Sequence, residues 1–290
     1  MKTSELFGRD VKVFSFEVFP PRRTYPIETV VTTLEGLADL RTDFISVTFG
    51  AGGSANNDAT VEIARMIKQD YDIESVAHLS CAYQTKDDVL RILERLHDVG
   101  VENILALRGD RIEGLEVKHD FAHASDLIAF IRDEAGDDFD IIAACYPETH
   151  PEAEDSRSDI ASMKLKQDAG ATHFISQLFF DNFLFYDFER RARAAGVTAP
   201  IEAGIMPVVN KRQIKRMTSL CGATLPAKFS HMMDRFGGDD RAMHDAGIAY
   251  AVDQIVDLLV HDVEGVHLYT MNKPDIARGI DAATRSLFSV

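Results

Sequence analysis

The sequence predicts an α/β chain of the (β/α)8, or TIM, barrel type, folded as a single domain over residues 1–290. Three observations carry that prediction. Short β-rich apolar runs alternate with helical patterns along almost the whole length, as in a parallel sheet covered by helices. The runs number eight. Polar residues then collect at the C-terminal ends of those runs, where barrels of this kind build their chemistry. A length of 290 residues also suits one barrel, which commonly runs to about 250 residues or more. No Pro-, Gly- or Ser-rich linker and no sequence repeat divides the chain.

In order, the expected strands are Val13–Phe19, Phe44–Phe49, Ser75–Cys81, Asn103–Leu107, Ile141–Tyr146, His173–Phe179, Ile201–Met206 and Val266–Thr270. Between them lie apolar residues at helical spacing, for example Val89, Ile92, Leu93 and Leu96, with Gly100 as the stop. The same pattern recurs at Ile160–Ala169 with Gly170 and at Phe185–Ala195 with Gly196. A helix from about Asp240 to His261 fills the gap before the eighth strand, and Ala223–Phe236 reads as an added helical segment. The rim positions are Thr48, His78, Arg108 to Asp110, Tyr146, Glu148, His150, Gln177, Pro207, Asn272 and Lys273.

Composition narrows the class of function. Hydrophobic residues make up 46% and charged residues 27% of the chain, the balance of a globular protein. A formal net charge of -16 argues against a nucleic-acid partner, which needs a basic face to displace counterions. No run is long enough to span a bilayer, and the first ten residues lack the apolar core of a signal peptide, so the expected compartment is the cytoplasm. Cys81, Cys145 and Cys221 form neither a CxxC pair nor a zinc-finger pattern and read as reduced, buried thiols.

The most unusual residue is Glu17, a carboxylate inside the apolar run Phe14 to Phe19, which ends at Pro20 and Pro21. Removing such a group from water is costly unless it is paired or protonated, so it belongs either to a buried polar network or to a tuned acid. The glycine-rich Gly50 to Gly53 follows a strand and lets backbone approach a phosphate or flat ring, but it does not match G-x-G-x-x-G. Arg108-Gly109-Asp110 offers a bidentate anion fork beside a carboxylate. His119 and His123 have the i, i+4 spacing of a metal pair, yet a solvated helix entry accounts for them better and no metal site is expected. Lys211, Arg212, Lys215 and Arg216 place positive charge on one helical face. No GxSxG elbow or activated cysteine points to covalent catalysis.

Seven blocks, in order, resemble methylenetetrahydrofolate reductase. They are Ser15 to Pro21, Ser46 to Ala51, Ala77 to Cys81, Leu105 to Asp110, Tyr146 to Glu152, Gln177 to Asp181 and Leu268 to Asn272. The resemblance implies a barrel holding non-covalent FAD that is reduced by NADH or NADPH and in turn reduces 5,10-methylenetetrahydrofolate to 5-methyltetrahydrofolate. It also implies that Glu17 is the general acid for the folate nitrogen released on ring opening, with burial among phenylalanines keeping its proton, and that Asp110 stabilises the developing cation. By the same resemblance Thr48, Phe49, Ala51, His78, Arg108, Gly109, Asp110, His123, Ala124, Tyr146, His150, Asp159 and Lys166 fall at flavin contacts. Gln177, Gln213, Met217 and Lys273 fall at folate contacts. The chain departs from the family where Phe49 and His123 replace tyrosines, Met217 a phenylalanine and Lys273 an arginine. A proline-dehydrogenase type of flavin barrel would lack the first and fifth blocks, and a non-catalytic folate or flavin binder would not need Glu17, Asp110 and Gln177 together. Inhibition by S-adenosylmethionine, which belongs to an appended domain in eukaryotic relatives, is not expected. The expected partners are a folate and further copies of the chain, with no nucleic acid and no membrane.

Overall fold

A computed structural model describes the chain apart from residues 10, 22–26, 50–53, 112–113, 211–213, 215–217, 219–220 and 290, and leaves the side chains of 54–57 aside. The strands are β1 (Val13–Val18), β2 (Phe44–Val47), β3 (Glu74–Ser80), β4 (Asn103–Leu107), β5 (Asp140–Cys145), β6 (His173–Ser176), β7 (Ile201–Ile205) and β8 (Gly265–Tyr269). All pair in parallel, each with the next in sequence, and β8 closes on β1. The described helices are α1 (Glu28–Leu37), α2 (Ser54–Asp70), α3 (Lys86–Asp98), α4 (Ala124–Ala135), α5 (Ser156–Asp168), α6 (Asn182–Ala194), α7 (Ala227–Phe236), α8 (Asp240–Val260) and α9 (Pro274–Thr284). The predicted barrel is therefore the observed one.

Local chemistry sets the helix ends. Thr85 and Asp88 form a reciprocal capping box at α3, Asp155 and Ser158 another at α5, and Asp181 and Asp239 cap α6 and α8. Pro274 stands in the first turn of α9, where its missing N–H costs nothing. Gly100, Gly170 and Gly196 follow α3, α5 and α6 in the left-handed region, as the sequence reading expected. The added helix is shorter than expected. It begins at Ala227, because Pro226 occupies its N-cap with extended dihedrals and the residue before a proline avoids helical geometry.

Strand alternation sorts the barrel into two layers. Phe14, Phe16, Val18, Ile45, Val47, Leu79, Ile104, Phe174 and Ile205 pack outward against the helices in one continuous core. Inside, Val13, Phe44, Val76, Leu105, Ile142 and Ile175 form an apolar floor with Leu6 and Phe7. Leu6 ends a short 3-10 turn, Thr3–Leu6, which is tied across the bottom by Thr3 and Ser4 to Asp140 and by Thr3 to Asn103. Several strands stop earlier than the apolar runs suggested. β2 ends before Thr48 and Phe49, and β6 ends before Gln177, whose own Oε1 accepts from the next backbone N–H, Leu178, at 2.9 Å and turns the chain out of the sheet.

Candidate active site

Above the floor, the C-terminal mouth opens into a cavity of about 1090 Å³. Its walls include Glu17 from β1, Thr48 and Phe49 after β2, His78 from β3, Arg108 to Asp110 after β4, and His123 and Ala124 at the start of α4. Tyr146 and His150 after β5, Asp159 and Lys166 from α5 and Gln177 after β6 complete the expected set. Lys273 is not among the lining residues; it stands exposed at the rim as the N-cap of α9. Ala51, Gln213, Met217 and the cationic positions 211, 212, 215 and 216 lie outside the described residues. His119 and His123 both line the mouth, but His123 is the extended N-cap of α4, so the pair precedes the helix. Among the described residues no group of three or more His, Cys, Asp or Glu could hold a metal ion.

Glu17 is half-buried, its side chain 19% exposed, and its Oε2 lies 3.6 Å from His78 Nε2 and 3.8 Å from His267 Nε2. Its surroundings correct one expectation. Phe14 and Phe16 face the helix layer, so the carboxyl is framed by two imidazoles and Tyr269 rather than by phenylalanines. Burial holds His78 down at about 4, which leaves that ring neutral near pH 7 and makes its approach to Glu17 something other than an ion pair.

The opposite wall mixes the cations Arg108 and Lys166 with the carboxylates Asp110, Glu152 and Asp159. Arg108 Nη1 and Nη2 grip Glu152 at 2.8 and 2.7 Å, a bidentate pair at the mouth. Lys166 donates to the Ala144 carbonyl at 2.8 Å, and burial lowers its pKa. Asp159 accepts from the His150 backbone N–H at 2.9 Å, while burial and then the nearby Arg108 charge lower His150. Tyr146 is pushed up to about 12, chiefly by burial, and keeps its phenolic proton. Gly109 sits at φ 89°, and a Cβ there would meet the Ser80 Cβ at 2.9 Å, so only glycine brings the backbone this close to the cavity wall.

Below Glu17 lies a buried polar group that sequence reading missed. Ser15 Oγ is 2.6 Å from Glu202 Oε2 and 2.6 Å from His267 Nδ1. Glu202 Oε1 faces His173 Nε2 at 3.6 Å, and neither atom has a hydrogen-bond partner. Burial pushes Glu202 up to about 8 and His173 down to about 4. The available signal was period two: Ser15 and Glu17, His173 and Gln177, and His267 and Tyr269 are inward positions two or four apart.

These shifts predict a pH dependence. The histidines prefer neutrality when folded, so the stability they confer is complete above their ordinary 6.5 and is lost as pH falls toward about 4. Glu202 works in the other direction, its contribution being complete below the ordinary 4.5 and lost as pH rises through about 8. Replacing Glu202 with Gln should therefore gain on the wild type by about 3 kcal/mol, or roughly 6 °C in thermal midpoint, between pH 6 and pH 9. A midpoint difference that does not move with pH would refute this.

Fold and cavity together define a (β/α)8 barrel whose mouth sets a half-buried carboxyl across from Arg108 and Lys166. Residues 2–283 match the family described as methylenetetrahydrofolate reductase. The chain belongs to that family. It is 35% identical over 266 residues to 5,10-methylenetetrahydrofolate reductase of Escherichia coli, covering 92% of this chain and 88% of that protein. It is also 35% identical over 280 residues to methylenetetrahydrofolate reductase (NADH) 1 of Arabidopsis thaliana, covering 92% of this chain but 47% of the relative. The chain thus spans about half the length of its plant relatives. A Clostridium thermocellum protein described as binding two copies of 5-methyl-5,6,7,8-tetrahydrofolic acid has the same fold, with a TM-score of 0.67, 14% identity and 97% of each chain covered. Among the described residues no helix is long and apolar enough to cross a membrane.

Proposed function

We propose that this chain reduces 5,10-methylenetetrahydrofolate to 5-methyltetrahydrofolate with NADH or NADPH, in two half-reactions that share one FAD. The observation that carries the proposal is Glu17, whose carboxyl rises from the barrel interior into a cavity walled on its far side by Arg108, Gly109 and Lys166. The residues fit a dinucleotide. Gly109 leaves a cradle that a Cβ would fill, Lys166 offers a half-buried amine on one backbone carbonyl, and Arg108 presents a planar fork. FAD, when bound, supplies the hydride carrier that lets the two substrates use one site in turn.

The chain's own groups do the rest. Arg108 and Lys166 would hold the pyrophosphate, with Glu152 giving way as the partner of Arg108. Tyr146 and His150 pack edge to face, with ring centroids 4.6 Å apart, and would wall the bound cofactor on that side. Gln177 orients the folate beside Glu17. Glu17 then protonates the folate nitrogen as the five-membered ring opens, and Asp110 at the mouth stabilises the cation that accepts hydride. Lys273, exposed at the N-cap of α9, would meet the folate's carboxylate tail as a point charge.

The purified protein is expected to be yellow, to be bleached anaerobically by a reduced nicotinamide and to regain its colour on addition of methylenetetrahydrofolate. A colourless protein that takes up no added FAD would refute the flavin assignment. Bleaching without recovery by the folate would refute the substrate.

A further inference from the structure

Glu17 must be supplied with a proton, and the structure holds a buried store of one beneath it. We infer that Glu202 is the buried end of a hydrogen-bond column, Glu202–Ser15–His267, that shares one proton with Glu17. The inference rests on the reading of Glu17 as the acid of the folate half-reaction. The column consists of the 2.6 Å contact from Glu202 Oε2 to Ser15 Oγ, the 2.6 Å contact from Ser15 Oγ to His267 Nδ1, and the 3.8 Å gap from His267 Nε2 to Glu17 Oε2. Glu202, Ser15 and His267 are all fully buried. The last gap needs an approach of about 1 Å to reach hydrogen-bond length, a tightening that catalytic contacts commonly undergo when ligand binds.

Hydrogen-bond bookkeeping makes the column two-state, because Ser15 has one hydroxyl proton and a neutral imidazole has one N–H. With Glu202 protonated, its O–H donates to Ser15 Oγ, Ser15 donates to His267 Nδ1, and His267 Nε2–H is aimed at a Glu17 carboxylate. With Glu202 ionised, Ser15 donates to Glu202, His267 carries its proton on Nδ1, and its bare Nε2 faces a protonated Glu17. Every donor in the column has an acceptor in both states. Passing from the first to the second breaks one O–H bond at Glu202 and forms one at Glu17. Ser15 and the imidazole each lose a proton on one side and gain one on the other, and no electrons move.

The surroundings suit such a store. His173 Nε2, unpartnered and 3.6 Å from Glu202 Oε1, is placed to donate to the carboxylate once the proton leaves. Burial raises the pKa of Glu202, so the acid form is the resting one at neutral pH. The other groups facing the column are Asp43 toward Glu202, Asp140 toward His173, Ser46 Oγ at 3.5 Å from His267 Nε2, and His78 and Tyr269 beside Glu17. Glu202, Ser15 and His267 act through Glu17 and are positioning residues.

The test uses the flavin-loaded protein in stopped flow, with nicotinamide and folate half-reactions measured separately across pH 6 to 9. Glu202→Gln keeps the shape and a donor for Ser15 but cannot release a proton, and Ser15→Ala breaks the column at a small side chain. Both are expected to slow the folate half-reaction roughly tenfold or more and to flatten its pH profile, with the nicotinamide half-reaction unchanged. Wild-type rates and profile in both variants would overturn the column. Nitrogen-15 NMR of His267 in the protein without cofactor gives a second readout. The wild type should pass from Nε2–H to Nδ1–H as pH rises through about 8, and Glu202→Gln should stay in the Nε2–H form. A tautomer indifferent to pH in the wild type would overturn the inference. Failure of the underlying reading shows elsewhere, in a Glu17→Gln protein that keeps its folate half-reaction.

Discussion

Replacing Glu17 with Gln is expected to slow the folate half-reaction by about 10²–10⁴-fold, the usual contribution of a positioned general acid. Reduction of the flavin by nicotinamide should be untouched, because that step moves a hydride and asks no proton of this residue. The amide preserves the volume of the side chain in its frame of His78, His267 and Tyr269 and removes only the transferable proton. Single-turnover measurement of each half-reaction separates the two roles that the sequence left open. Loss of both half-reactions, or unfolding of the variant, would recast Glu17 as structural.

A large effect on stability is expected at Gly204 in β7. A Cβ there would lie 2.2 Å from the Ser176 carbonyl oxygen and within 2.9 and 3.0 Å of the Tyr269 ring and hydroxyl. That space is already in use. Tyr269 crosses from β8 to donate to the Ser176 carbonyl at 2.8 Å, and the Gly204 N–H donates to Ser176 Oγ at 2.9 Å. Overpacking against backbone cannot be relieved by a rotamer change, so Gly204→Ala should cost about 3 kcal/mol or more and lower the thermal midpoint by roughly 6 °C. It should also displace Tyr269, which lines the cavity. Gly238→Ala, where nothing lies within 4 Å, is the control. Equal midpoints for the two variants would refute the steric argument.

The barrel was legible because alternation of strand and helix, glycine stops and rim polarity all follow from local rules. Residues such as Val89 and Leu96 report a helix face without knowledge of anything distant. Strand ends were less legible, since β2 and β6 stop before Thr48 and Gln177, and the Gln177 side chain that accepts from Leu178 N–H is not encoded in an apolar run. The anomaly of Glu17 was visible, but its environment was misread from Phe14 and Phe16, which the pleat turns to the other face. Its true neighbours, His78 and His267, arrive from β3 and β8 and depend on barrel closure. Glu202 and His173 were harder still. Each looks unremarkable in its own strand, and only the adjacency of β6 and β7 makes them a pair.

The apolar floor has one more consequence. With Leu6, Val13, Phe44 and Ile175 packed across the bottom, the barrel interior, among the described residues, opens toward the C-terminal mouth. Traffic between bulk water and Glu202, of protons or of deuterons, is thereby routed past Glu17. A ligand seated in the mouth would act as a stopper, isolating the inner groups from the solvent isotope for as long as it stays bound.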